Sequence, residues 1–108
     1  MKRYIIDPEV QRLKEEHMRP SQCLGYDHEA IAVHLIKISA YEIAEAELRR
    51  AVYLNPYENR FKVHLAMCLW KLKKTEEAED LVVKVLEKEP ENAKAKEILE
   101  ILKEEKNG

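Results

Sequence analysis

"SAYEIAEAELRRAVYLNP" (residues 39–56) and "KKTEEAEDLVVKVLEKEP" (residues 73–90) repeat one another at an offset of 34 residues, each closing on a proline. Ala44 and Ala78 fall in register, as do Leu48 with Val82 and Pro56 with Pro90. A fixed period of this size marks stacked helical hairpins, because one hairpin cannot bury its apolar face alone and a neighbour stacked on it can. The usual product of that architecture is a binding surface.

Outward from the two copies, apolar residues recur at spacings of three and four from residue 28 to residue 103, and only Gly25 and Gly108 are glycine. That periodicity predicts an all-α fold. Helices are expected near 8–18, 28–38, 40–54, 60–72, 76–88 and 93–106. Breaks are expected at Pro20 to Gly25, Ser39, Asn55-Pro56, Lys73 to Thr75 and Pro90. A residue before proline disfavours the α region, so Asn55 and Glu89 should end helices. Ser39 with Glu42 reads as a capping box, and Thr75 as a plainer N-cap. Glu45 with Arg49, Glu58 with Lys62 and Asp80 with Lys84 have the acidic-before-basic order that supports a helix and read as solvated faces.

With 108 residues the chain makes one domain with one modest core. Charged residues are 37% of it, against about 25% in an average protein, and 45% are hydrophobic, which predicts alternating wet and dry faces. The formal net charge of −2 leaves no electrostatic footprint for nucleic acid or an anionic membrane. Cys23 and Cys68 have no CxxC spacing and read as reduced thiols. "MKRYIIDPEV" is too short in apolar residues for a signal peptide, and no run approaches the ~20 residues of a membrane span, so the expected location is cytoplasmic.

These residues resemble the tetratricopeptide repeat, a hairpin of helix A and helix B whose signature has L-G-x2-Y, then A-x3-F, then a terminal proline. The first unit matches with Ile31, Ala32, Leu35, Ala44, Leu48 and Pro56, adding Tyr41 and Ala51; the second matches with Leu65, Ala66, Leu69, Ala78, Val82 and Pro90. His28 and Lys62 depart from the family's tryptophan. The resemblance implies antiparallel helical hairpins stacked as a short right-handed superhelix. It divides the chain into an N-terminal extension, 1–24, and a repeat domain, 25–108, with units at 25–58 and 59–92 and a capping helix at 93–106. Glu100 occupies the close-approach position of that last helix and would bury a charge against any following helix B, so the helix should be terminal. In the extension, Asp7-Pro8 reads as a helix start and Val10, Leu13 and His17 as one narrow apolar face. The extension or a second copy of the chain is expected to supply cover that two units lack.

"AIAVHLIKI" (30–38) has seven apolar residues in nine and "VHLAMCLWKL" (63–72) has eight in ten, so both helices should be covered on more than one side. Ile31, Ala32 and Leu35 with Leu65, Ala66 and Leu69 are assigned to packing against helix B. A second stripe, Val33 and Ile36 with Val63, Met67 and Trp70, flanked by Lys37 and Lys71, falls where the family's helices A line a concave groove. That resemblance implies a non-enzymatic interaction module, adaptor or chaperone-like, holding an apolar or amphipathic segment of another protein. Met and Trp suit such a surface. The family's carboxylate clamp is not matched, since Glu29 and Val33 stand at its positions. Alternatives are a homodimer or larger homo-oligomer using the same stripe or an exchanged N-terminal helix, and a small metal-binding regulator using His34, His64 and Cys68.

Catalytic chemistry has little support. Two glycines exclude Gly-rich phosphate loops, and "HEAIAVH" has Ala32 where a zinc-protease helix needs histidine. His64 and Cys68 are spaced to chelate, but Cys68 and His34 share a position that packs between hairpins, favouring structural roles. No catalytic residue, metal ligand set or cofactor is assigned.

Overall fold

The computed structural model describes residues 24–107. The chain is all-α, with five helices among the described residues: α1 (Tyr26–Lys37), α2 (Tyr41–Leu54), α3 (Asn59–Lys71), α4 (Thr75–Lys88) and α5 (Ala93–Asn107). The helix expected near 8–18, with its face of Val10, Leu13 and His17, lies outside the described residues, as does Cys23.

Each helix packs on the next, and the short connections make neighbours antiparallel. The odd-numbered helices also touch their like neighbours directly, α1 with α3 and α3 with α5. By contrast α2 and α4 reach each other through long side chains, Arg49 to Glu77 at 2.6 Å and Lys74 to Glu45 at 3.0 Å. The stack is therefore tighter on its odd side. Ala32 and Ala66 are wholly buried at the close approaches, where a larger side chain would push the hairpins apart. Leu48, Phe61, Leu69, Val82 and Leu102 fill the interior.

The two hairpin turns share one backbone device. In the first, the Ser39 N–H donates to Ile36 O (3.0 Å) and the Ala40 N–H to Leu35 O (2.8 Å); in the second, Lys73 donates to Trp70 O (3.0 Å) and Lys74 to Leu69 O (2.8 Å). Ser39 (φ 64°) and Lys73 (φ 68°) are left-handed. These are Schellman ends, with a non-glycine residue at the position that usually takes glycine.

That geometry corrects the expected caps. Ser39 closes α1 instead of opening α2, so no capping box forms with Glu42; the N-cap is Ala40, without a side-chain bond. Thr75 is the first residue of α4, and Lys74 is the N-cap. Asn55 and Glu89 do end helices, as the following prolines require. Side-chain caps occur where the chain enters α3 and α5: Glu58 accepts from the Arg60 N–H (3.2 Å) and Asn92 Oδ1 from the Ala95 N–H (3.0 Å).

Two further expectations change. Ile31, assigned to helix packing, is 49% exposed, because none of the described helices lies ahead of α1 to cover it. Glu45 is buried and not a solvated charge; it accepts from Arg49 Nε (2.8 Å) and Lys74 Nζ (3.0 Å) and so ties α2 to the start of α4. At the first residues of α1, Gly25 is left-handed (φ 89°), and a Cβ there would lie 2.9 Å from Phe61 Cε2 and 3.0 Å from the Ala51 carbonyl oxygen. Glycine is thus needed both for the turn and for the close approach.

Candidate functional site

Helix α3 runs through the middle of the molecule, between α1 and α5 on the odd side. Val63, Met67 and Trp70 recur at i, i+4 and i+7 along it and share one face. Val63 and Met67 form the apolar part of a cleft of about 360 Å³, which opens between α3 and the start of α5. Arg60, His64 and Glu58 stand at its α3 side, and Glu89, Asn92 and Lys94 at the other. The volume is at the lower end of sites that hold a small ligand or a few side chains of a bound segment.

The rim is held rigidly on one side. Glu29 of α1, nearly buried, receives Arg60 Nε at 2.7 Å, and a second, shorter bond from the same guanidinium completes a bidentate pair. His64 Nδ1 lies 3.0 Å from Glu29 Oε2 without hydrogen-bond alignment. Arg60 also covers the Tyr26 ring at 4.7 Å, and the Tyr26 hydroxyl donates to Glu58, whose hydrogen bond raises the phenol's pKa. Tyr26 in turn meets Phe61 edge to face, with ring centroids 4.9 Å apart. This array fixes the start of α3 against α1 and with it one wall of the cleft.

The predicted stripe is divided by the structure. Val63 and Met67 meet in the cleft. Trp70, a turn further on, is half-buried: its indole N–H is shared between the two carboxylate oxygens of Glu105 on α5, 2.9 Å each, and Lys71 Nζ lies 4.5 Å from its ring centroid. The indole already has polar partners, and neither it nor Lys71 lines the cleft. On α1, Val33 and Ile36 are half-buried and Lys37 is exposed; Ile36 packs onto the core, and none of the three lines the cleft.

Arg60, Asn92 and Lys94 were not singled out from sequence, and His64 was considered only as a metal ligand. Their signal is the period itself: residues about 34 apart stand side by side on successive odd helices, as Glu29 with Arg60 and Trp70 with Glu105 show.

His34, His64 and Cys68 do not converge, and no group of three potential metal ligands occurs among the described residues. His34 is exposed, whereas Cys68 is wholly buried, and that burial pushes its thiol up to about 11. A thiol so far from ionising is a poor nucleophile or ligand at neutral pH. None of the described helices is long and apolar enough to cross a membrane. The sequence matches no family model and no curated protein.

Proposed function

We propose that this chain is a non-enzymatic interaction module of tetratricopeptide-repeat type that holds an amphipathic segment of a partner protein in the cleft beside α3. The observation that carries this reading is the cleft itself, with Val63 and Met67 as an apolar floor inside a rim of both charges. A segment with one apolar stripe and flanking charges is complementary to that arrangement, since its apolar residues enter the floor while its charges meet Arg60 and Lys94 or Glu58 and Glu89. Methionine at the floor adapts to side chains of different shape. The 34-residue period, the buried Ala32 and Ala66 and the exposed Glu100 support the repeat assignment.

Met67→Glu in the full chain tests it. Protein captured from the native host by the wild type is identified, its bound segment is synthesised as a peptide, and both chains are titrated with it. Binding should weaken at least ~10-fold, about 1.4 kcal/mol, while the far-UV circular dichroism stays helical. Equal affinity in the folded variant would remove the cleft from the account. Lys94→Glu, at an exposed rim position, is the companion variant should Met67→Glu unfold the chain.

A further inference from the structure

The face of the stack ahead of α1 is unfinished. One 34-residue period separates Leu65 of α3, which is 3% exposed beneath α2, from Ile31 of α1, which is 49% exposed. The same period separates buried Cys68 from exposed His34. Ile38, 61% exposed, follows at the spacing that keeps it on the Ile31 face. On α2, Ile43 is 58% exposed; its counterpart on α4 is Glu77, which meets Arg49 of the preceding even helix. Three isoleucines thus stand at positions that a further even-type helix would cover.

The chain holds a segment long enough for that place. Twenty-three residues precede Leu24. The buried stripes of α2 (Ala44, Leu48, Ala51) and α4 (Ala78, Val82, Val85) recur at spacings of three and four, and within 8–18 Val10, Leu13 and His17 fall on one helical face at i, i+3 and i+7. The even helices hand over to the next odd helix through the four residues 55–58 and 89–92. A helix over 8–18 leaves residues 19–25 for the same task, enough to return the chain antiparallel to α1. Such a short tether keeps the segment at an effective concentration on the order of millimolar, which a second copy reaches only in very concentrated solution.

We propose that residues 8–18 dock as a helix on the face formed by Ile31, Ile38 and Ile43, closing the first hairpin with the chain's own N-terminal segment. This goes beyond the cleft reading. It also puts the segment on the far side of α1 from the cleft, so that one part of the chain does not compete with a partner for the other.

Cross-linking in the full chain tests it. Cys23→Ser removes one native thiol, and buried Cys68 stays unreactive. Leu13→Cys is then combined either with Ile31→Cys or with Lys94→Cys at the cleft rim. Both pairs are treated at low micromolar concentration with a bismaleimide of ~10 Å reach, about one helix diameter. Most of the Leu13–Ile31 pair should become an intramolecular adduct of monomer mass. Added Val10→Asp should cut that yield at least ~5-fold, and in the otherwise wild-type chain it should speed amide exchange in α1.

An intramolecular Leu13–Lys94 adduct would put the segment in the cleft and overturn both this proposal and the cleft reading. A dimeric Leu13–Ile31 adduct would assign the face to a second copy. Absence of both adducts, with α1 exchange unchanged by Val10→Asp, would leave the face open. Either of these last two outcomes overturns this proposal alone and leaves the cleft standing.

Discussion

Ser39 and Lys73 carry the conformational cost of the two hairpin turns. Each has a Cβ in a left-handed conformation that costs a non-glycine residue roughly 1 kcal/mol, and each ends its helix with the same pair of backbone bonds. Ser39→Gly and Lys73→Gly should therefore raise stability by about 0.5–1 kcal/mol apiece, less than the full strain because glycine also gains freedom in the unfolded chain. The check is the urea midpoint, which should rise with an unchanged slope. The same two residues show where sequence reading falls short. A serine followed three positions later by glutamate is a good cap signal, but tertiary packing fixed the helix direction change first, and the serine was spent on closing α1. Gly25 was legible as a break, whereas its contact with Phe61 and Ala51 joins residues far apart in the chain and left no local trace.

At the scale of the elements, most of the fold was readable, because prolines and the 3.6-residue period act locally. All five described helices begin and end within two residues of expectation, the usual uncertainty of helix ends. What was not readable is which apolar face each helix buries, since that depends on what precedes it in space. Ile31 and Leu65 have the same sequence environment and opposite fates. The last helix can be tested by its cap. Asn92 Oδ1 satisfies the Ala95 N–H while its amide donates to Glu89 (2.9 Å), fixing the connection that also borders the cleft. Asn92→Ala should lower stability by about 1 kcal/mol. Amide exchange should localise the loss to the first turn of α5, with that of α2 unaffected.

For the whole molecule, the charges on the even side join one hairpin to the next. Burial raises the pKa of Glu45, but hydrogen bonds from Lys74 and then Arg49 outweigh it and hold the carboxyl below its ordinary value. A depressed folded-state pKa stabilises the fold above the unfolded value, about 4.3, and that contribution is lost as pH falls through the folded value. Glu45→Gln should thus cost about 1 kcal/mol at pH 7, its cationic partners standing half in water. The gap between the two proteins should stay level down to about pH 5 and close below pH 4, as followed by denaturant titration across that range. A gap independent of pH would mean that the carboxylate's charge contributes nothing to hairpin stacking.

The exposed Glu100 and the bare isoleucines of the first hairpin give the array a direction. Ala32 and Ala66 are buried, whereas Glu100 is exposed and carries a charge that a following helix packed on it would have to bury. Among the described residues, Ile31, Ile38 and Ile43 on the upstream face present no such charge. A further hairpin ahead of Tyr26 would therefore meet apolar surface, in competition with residues 8–18 for it, whereas one added after α5 would require that glutamate to become small.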